Sequence, residues 1–303
     1  MHSLDEKGNT VMKKSFENTF SKLGEFLDNF SPNDRFVMES RGYDVILANP
    51  LKIKLIAESR MKNDDVDSEN LARLLMNGWI PESYVPDRDI REMRRIVRTR
   101  IQIKHSCTSY RNRIRFELLR MNVDYEPDPF SRKGHLFPGS LHSPRIDSYL
   151  SVLLGMEEDV RRIDRDLKIY SDMAEIRNLQ TIPGIGLFSA VLIYSEIGDI
   201  TRFQDLTKLL PYAGLVPSVR QSSDTVHYGH ITYQGSEYLR WIMVEAVHMH
   251  MRFDPGSSVS RFYRKIAKKK GKSRAIVASA NKLLKIVYWV LKENGAHQKN
   301  QAQ

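Results

Sequence analysis

The pattern of apolar and polar positions divides the chain into three parts, of which the first is residues 1–86. This part mixes short apolar runs with one helical pattern. We interpret "GNTVMKKSF", "RFVMES" and "DVILANP" as strands and "FENTFSKLGEFLDNF" as an amphipathic helix. The alternation of strands and helices predicts an α/β layered domain.

The second part, residues 87–178, is dominated by helical spacing. Residues 87–122 contain no Pro or Gly, and their apolar positions recur every three to four residues, which predicts one long helix. Residues 123–145 hold four Pro and two Gly and are predicted to form a loop, after which residues 146–178 return to a helical pattern. Two long helices joined by a loop indicate either an antiparallel helical hairpin or a dimerising coiled coil.

The third part, residues 179–303, is predicted to be a separate and mainly helical domain. It contains one polar segment, "VPSVRQSSDTVHYGHITYQGS", which we interpret as a loop. Its longest apolar stretch, Ile276 to Leu291, is interrupted by Asn281, Lys282 and Lys285, so no transmembrane helix is expected. The first residues, "MHSLDEKGN", lack the apolar segment of a signal peptide, and a cytoplasmic location follows as the expectation.

Composition is that of an ordinary soluble protein, with 41% hydrophobic and 28% charged residues. The single cysteine, Cys107, excludes an internal disulfide and any cysteine-based zinc site.

The positive charge of the chain indicates a negatively charged binding partner. The net charge is +10, and residues 88–120 alone hold eleven Lys and Arg against three acids. Residues 261–274 hold eight Lys and Arg and no acid, with Phe262 and Tyr263 among them. Such clusters are typical of proteins that bind a polyanion, although an excess of solvated lysines is the other interpretation. The candidate nucleic-acid contacts in the second cluster are Arg261, Arg264, Lys268, Lys269 and Lys270.

Candidate metal ligands lie in "KNDDVDSENLARLL", residues 62–75. If a helix begins near residue 64, Asp64 and Asp67 fall on the stripe that Leu71 and Leu74 would bury. These acids could simply cap the helix and favour its dipole, but a carboxylate beside a buried stripe needs a partner, and Mg²⁺ is a suitable one. Glu39, at the end of an apolar strand, is the third candidate ligand. A strand-end Glu with such an Asp pair is the acidic constellation of an RNase H/RuvC-like nuclease, in which metal ions assist phosphoryl transfer.

Two further motifs are candidates for contact with nucleic acid. In "TIPGIGLFSAVLI", Gly184 and Gly186 lie between helical patterns, as in a helix-hairpin-helix whose turn offers backbone N–H groups to a phosphate, or as in an ordinary tight turn. In the polar segment, Ser222 could attack a phosphodiester, and the neighbouring basic side chains could stabilise the developing charge. These basic candidates are Arg220, His227 and Arg240.

Together and in this order, these motifs resemble the insertion-sequence transposases of family one-ten. "FVMES", "ANPLKIKLIAESRMKNDDVDSENLARLL", "LQTIPGIGLFSAVLIYSEIGD", "YAGLVPSVRQSS" and "HYGHITYQGSEYLRW" are similar to blocks of that family across essentially the whole chain. The resemblance implies an α/β RuvC/RNase H-like N-terminal DEDD domain over residues 1–86 and a long helical coiled-coil middle over residues 87–178. A mainly α C-terminal transposase domain, with a helix-hairpin-helix-like element, would follow over residues 179–303.

The resemblance also implies the chemistry. Glu39, Asp64 and Asp67 match the family's metal-binding acids for Mg²⁺ or Mn²⁺, and Ser222 matches the serine that forms a covalent phosphoserine link to DNA. Ser223 stands where the family usually has Gly, so the register of the two serines stays open. The implied partners are DNA, an element-encoded guide RNA and further copies of the chain in a dimer or tetramer.

Two departures from the family pattern predict a catalytically impaired domain. The family's first catalytic Asp lies on a strand before the "LDEKGNTV" hairpin, and the sequence starts inside that hairpin, so an incomplete RuvC-like domain is expected. Only "SRGY" separates "FVME" from "DVILANP", whereas a parallel strand pair needs a crossover of about a dozen residues or more. The alternatives are a non-catalytic nucleic-acid-binding remnant, a Holliday-junction-type nuclease without a serine step, and a coiled-coil scaffold.

Overall fold

The computed structural model describes residues 2–4, 10–13, 53, 64–126, 128–131, 138–222, 225–231 and 235–295. The chain divides into two compact units, Met1–Val85 and Pro86–Gln303. In the first unit, strands β1 (His2–Leu4) and β2 (Thr10–Lys13) form an antiparallel pair, and helix α1 (Asp64–Met76) packs beside β1. The predicted helix in residues 16–30 and the two predicted strands in residues 35–50 lie outside the described residues.

Two long helices open the second unit and pack against each other within one chain. They are α2 (Arg88–Arg120) and α3 (Pro144–Asp166). Ion pairs join Arg100 to Asp164 and Arg145 to Glu117, so contacts advance along α2 while they recede along α3. The two helices are therefore antiparallel, which is the hairpin alternative of the sequence analysis. The far end of this hairpin has its own small core, made by Cys107, Ile114, Leu118, Ile146 and Leu153.

The second helix of this hairpin is shorter than the sequence pattern predicts. Instead of running to residue 178, α3 ends at Asp166, a 3₁₀ turn covers Leu167–Tyr170, and α4 (Ala174–Gln180) follows. Leu167, which is 1% exposed, packs into the main core at the break. A 3₁₀ turn repeats every three residues, so the apolar spacing continues through the break and hides it from a periodicity analysis.

The remaining helices surround the main core of the second unit. They are α5 (Leu187–Ile197), α6 (Leu206–Tyr212), α7 (Glu237–Phe253), α8 (Ser258–Lys270) and α9 (Lys272–Lys292). The helices α5 and α9 supply the most fully buried side chains, such as Leu192, Ile193, Leu283 and Leu284, each 0% exposed. The N-terminal half of α2 belongs to the same core through Met93, Val97 and Ile101. None of the helices in the described ranges is long and apolar enough to cross a membrane.

The prediction of a polar loop between α6 and α7 is wrong over most of that segment. Most of its residues form an antiparallel ribbon of two strands. Its strands are β3 (Pro217–Ser222) and β4 (Thr225–Ile231). The segment alternates β-branched or aromatic residues with polar ones, as in Thr225-Val226-His227-Tyr228, which suits a ribbon with two solvated edges. Gly229 lies opposite Ser218, whose Oγ occupies the space that a Cβ at position 229 would take.

Candidate functional site

Ser222 is the last residue of β3 and pairs with Thr225, the first residue of β4. Only residues 223 and 224 lie between them, so the serine stands at the tip of the ribbon. Ser223, the second candidate nucleophile, is outside the described residues.

The ribbon brings two of the predicted basic residues into register with Ser222. Arg220 pairs directly with His227 across the two strands. Positions 220 and 222 are two apart on β3, so they lie on the same face of the ribbon, with His227 opposite Arg220. The third predicted basic residue, Arg240, lies elsewhere, half-buried in the first turns of α7.

The base of β3 is fixed by the last long helix. The Asn281 side chain of α9 donates to the Leu215 carbonyl at 3.0 Å, two residues before β3 begins. The backbone N–H of Leu215 donates to the Leu210 carbonyl at 3.1 Å. This hydrogen bond accounts for the polar Asn281 within the apolar helix α9. It holds the start of the ribbon in place.

The chain that follows β4 is fixed again at Gly235 and Ser236, which meet the last residue of α6. Gly235 has φ +91°, and a Cβ on it would lie 2.7 Å from the Tyr212 carbonyl carbon, so the close approach requires glycine. The next residue, Ser236, donates its backbone N–H to the Tyr212 carbonyl at 2.8 Å. Ser236 also caps α7, because its Oγ accepts from the Leu239 N–H at 3.1 Å.

A buried carboxylate joins these supports. Glu196 on α5 is 1% exposed, and its Oε2 accepts from Ser236 Oγ at 2.7 Å. Arg98 of α2 donates to both Glu196 oxygens, from Nε at 2.8 Å and from Nη2 at 3.0 Å. The Tyr212 hydroxyl donates to the Glu196 carbonyl at 2.9 Å. Glu196 therefore connects α2, the end of α6 and the start of α7. The ribbon lies between α6 and α7 in the chain.

Two arginines of α2 complete this frame. Arg94 donates to the Ser195 carbonyl at 3.0 and 2.7 Å and so satisfies a carbonyl at the C-terminal end of α5. The guanidinium of Arg98 lies 4.5 Å from the ring centroid of Tyr238. Burial acts to lower the pKa of Arg98, but the hydrogen bond and the charge of Glu196 outweigh burial and raise that pKa above its ordinary value.

Sequence reasoning missed Glu196, Arg98 and Ser236. A signal was present, because Glu196 is the single acid in the apolar run of α5, and a carboxylate in a buried helix needs a partner. The partner lies in a distant helix, which local spacing does not reveal.

The structure describes the positions of two of the three predicted metal ligands, Asp64 and Asp67. Asp64 is the first residue of α1 and Asp67 follows three positions later, so the predicted helix start is confirmed and the two positions share one side of the helix. Glu39 lies outside the described residues. Within the described ranges, no group of three or more His, Cys, Asp or Glu side chains could hold a metal ion. Two carboxylates one helical turn apart nevertheless have the oxygen chemistry that Mg²⁺ prefers.

The glycine turn connects α4 to α5 as predicted, but the structure gives Gly184 a packing reason. Its φ is +91°, and a Cβ would lie 2.8 Å from the Cα of His250 in α7. His250, 1% exposed, holds the same turn by donating from Nδ1 to the Pro183 carbonyl at 2.7 Å. Gly186 instead is exposed and begins α5 as its N-cap. Contact of this turn with a phosphate stays a prediction.

The predicted basic cluster lies on the exposed part of α8, which we call its basic face. Arg261, Arg264 and Lys268 follow one another at helical spacing, and Lys269 and Lys270 complete the last turn. All five side chains are exposed, whereas Val259 and Ser260 in the first turn of α8 are buried. Lysines in a last turn also favour the helix dipole, so stability alone explains part of the pattern. No ion pair joins these residues to an acid within the part of the chain that the structure describes.

Two segments of the chain, residues 34–122 and residues 176–264, match transposase families. The DEDD transposase family of IS110 matches residues 34–122, and the Transposase IS116/IS110/IS902 family matches residues 176–264. The putative transposase y4qE of Sinorhizobium fredii is 26% identical over 239 residues, which is 75% of this chain and 58% of that protein.

Two further relatives widen the comparison. The transposase for insertion sequence element IS1111A of Coxiella burnetii is 24% identical over 265 residues, 82% of this chain and 72% of that protein. The pilin gene-inverting protein of Moraxella bovis is 33% identical over 118 residues, 38% of this chain and 36% of that protein. The chain thus spans between about a third and three quarters of these relatives.

Proposed function

The chain belongs to the IS110 family of insertion-sequence transposases. From that premise we propose that it cuts and rejoins DNA strands through Ser222, with an activity that the short link at residues 40–43 of its DEDD domain impairs. The observation that carries the proposal is the position of this serine at the tip of a ribbon whose supports all lie at its base. Support comes from the register of Arg220 and His227 and from the frame around Glu196.

The proposed step is an exchange of phosphate esters. Ser222 Oγ attacks a DNA phosphorus, an Oγ–P bond forms, and the bond from phosphorus to a deoxyribose oxygen breaks. The serine proton passes to a general base. The leaving deoxyribose oxygen takes up a proton to become a hydroxyl. Arg220 and His227 are suited to stabilise the charge on the phosphoryl oxygens. A hydroxyl of a second DNA strand then attacks the same phosphorus, which rejoins DNA and frees the serine.

The acids have a separate proposed role. Asp64 and Asp67, with Glu39, would hold Mg²⁺ or Mn²⁺, which when bound supplies Lewis-acid assistance to phosphoryl transfer. The spacing of the two aspartates on one side of α1 fits this role. Asp64→Asn combined with Asp67→Asn removes the negative charge of these proposed ligands while keeping side chains of the same size.

The proposed partners follow from charge and family. The basic face of α8 would bind the DNA backbone. A guide RNA and further copies of the chain, in a dimer or tetramer, are the other proposed partners.

A second candidate function is nucleic-acid binding without recombination. It is favoured by the link of only four residues, 40–43, between two segments that would be parallel strands in a RuvC-like domain. A Holliday-junction-type nuclease without a serine step is distinguished from both by its products.

The test is to trap a covalent protein–DNA adduct. The full chain is incubated with Mg²⁺, a cognate guide RNA and nicked DNA that carries the ends of the element, and the adduct is mapped by mass spectrometry. We expect a phosphoserine at residue 222, lost in Ser222→Ala and retained in Ser223→Ala. Binding without an adduct supports the second candidate. Cleavage that survives Ser222→Ala would overturn the serine mechanism.

A further inference from the structure

The N-terminal half of α2 carries an open, shallow groove lined by arginines of this one helix, which we call the cleft. Its volume is about 350 Å³, and it is lined by Arg91, Arg94, Arg95, Arg98, Thr99 and Gln102. These positions recur at three- and four-residue steps, so they form one stripe along the helix. Of the acids of this stretch, Asp89 lies on the other side of the helix axis at 100° per residue, whereas Glu92 lies at the edge of the stripe and pairs with Arg95. Four arginines stand against Glu92 and the buried Glu196, so the cleft keeps an excess of positive charge.

Two of the four arginines are held in fixed orientations at one side of the cleft. Arg94 is fixed by the Ser195 carbonyl, and Arg98 is fixed by both oxygens of Glu196. Their side chains keep 18% and 37% of their surface exposed, so both remain accessible to a ligand. Arginines that are already ordered lose little conformational entropy when they bind an anion.

The other two arginines are available for a ligand. Arg95 forms an ion pair with Glu92 at 3.3 Å, but its side chain is 73% exposed, and pairs of this kind contribute little. Arg91 is exposed and forms no ion pair with any acid among the residues that the structure describes.

We propose that this cleft binds the phosphodiester backbone of DNA. The stripe from Arg91 to Gln102 is about 16 Å long, and the phosphates of one strand are spaced about 3.4 Å apart along a duplex, so several phosphates face it. Arginine donates in a planar fork that matches phosphate oxygens, and Thr99 and Gln102 add uncharged donors. The proposal rests on the proposed function, because it locates a second contact with the same DNA away from the basic face of α8.

The position of the cleft links the proposed DNA contact to the supports of the ribbon. The arginines Arg94 and Arg98 line the cleft and also hold α5 and the Glu196–Ser236 hydrogen bond at the base of the ribbon. DNA bound here contacts the same hydrogen-bonded frame that supports the ribbon of Ser222.

The experiment measures DNA affinity of the full chain as a function of salt. Arg91→Gln combined with Arg95→Gln removes two charges without touching the core. The matched control is Arg161→Gln combined with Arg162→Gln, two exposed arginines of α3 that pair with neighbouring acids. We expect the cleft variant to bind a DNA duplex roughly tenfold more weakly at about 0.15 M salt, and the slope of log K against log[salt] to fall by about two. The control is expected to change neither quantity.

Each other outcome is decisive. An unchanged affinity and slope in the cleft variant, with wild-type binding intact, overturns the cleft while leaving the proposed function standing. Failure of the wild-type chain to bind DNA removes the proposed DNA partner itself. Tighter binding of an RNA duplex of the same sequence overturns the assignment to DNA, and an equal loss of heparin binding reduces the cleft to a general polyanion contact. Circular dichroism of each variant establishes that it is folded.

Discussion

Arg98 and Glu196 lie 98 positions apart in the chain and form an ion pair with two hydrogen bonds, of 2.8 and 3.0 Å. The pair is asymmetric, since the carboxylate side chain is 1% exposed and the guanidinium side chain is 37% exposed. A carboxylate buried to this degree is tolerated only because its partners satisfy it. Glu196 also accepts from Ser236, so loss of this one acid disturbs two helices and the ribbon between α6 and α7.

Replacing Glu196 with Ala is expected to lower the free energy of unfolding by about 3 kcal/mol. The physical reason is the loss of the ion pair and of the Ser236 hydrogen bond, moderated because Arg98 can be rehydrated. Urea unfolding of the purified chain measures the change. Hydrogen exchange should also become faster in residues 217–231, since the base of the ribbon loses a support.

The control for that prediction is Glu158→Ala on α3. Glu158 pairs with Arg161 and Arg165, but all three side chains are exposed, so little change is expected in stability or in ribbon exchange. Equal effects of the two substitutions would contradict a special role for the buried pair.

Replacing Gly184 with Ala is expected to destabilise the chain by about 2 kcal/mol or more. The residue has φ +91°, which strains any L side chain, and the new methyl would overlap the backbone of α7 at His250. Thermal unfolding measures the loss.

The matched control is Gly155→Ala in the middle of α3. A Cβ there has nothing within 4 Å, and alanine is favoured over glycine in a helix by about 0.5–1 kcal/mol, so the same substitution should stabilise the chain. A stabilised Gly184→Ala variant would show that the turn does not need its conformation.

The contrast between α2 and the ribbon shows which features the sequence makes predictable. The helix α2 is recognisable because residues 87–122 lack Pro and Gly and repeat apolar positions at one period. The sequence of the ribbon predicts a loop, because its polar residues outnumber its apolar ones and no Asn-Gly or Asp-Gly pair follows Ser222. A two-stranded element held by contacts at its base has little need of a hydrophobic face.

The candidate site divides in the same way. Residue types identified Ser222, Arg220 and His227, and the register of β3 with β4 then brought them together. Glu196 was not identified, because its meaning depends on Arg98 and Ser236, which come from distant parts of the chain. Local patterns report chemistry that is exposed, whereas the supports of a site are tertiary contacts.

Stability at acid pH is expected to depend on Asp199. The side chain and the backbone N–H of Thr201 donate to this carboxylate at 2.7 and 2.8 Å and lower its pKa from the ordinary value of 3.8. A folded-state pKa below the unfolded one contributes stability that is present above about pH 4 and is lost as the pH falls through the folded-state pKa. Asp199→Asn should therefore be less stable at pH 7 and show a flatter dependence below pH 4.

The comparison variant is Asp166→Asn, at the N-cap of the 3₁₀ turn, where the side chain makes no capping hydrogen bond. It should follow the wild-type profile. Unfolding free energies measured between pH 2 and pH 7 at constant ionic strength make the comparison, and an Asp199→Asn profile parallel to the wild type would contradict the assigned cause.

Neutralising the end of the basic face is expected to weaken DNA binding without loss of structure. In the triple variant Lys268→Gln, Lys269→Gln and Lys270→Gln, all three side chains are exposed, so the core of α8 stays intact. If each lysine contacts one phosphate, the salt slope should fall by about three, and the loss should be the same for unrelated DNA sequences, because backbone contacts carry no base information. The control is the triple replacement of Arg161, Arg162 and Arg165 by Gln, which removes the same charge from residues that are paired with acids on α3. Equal weakening by both variants would mean that net charge alone, rather than the face of α8, determines the affinity for DNA.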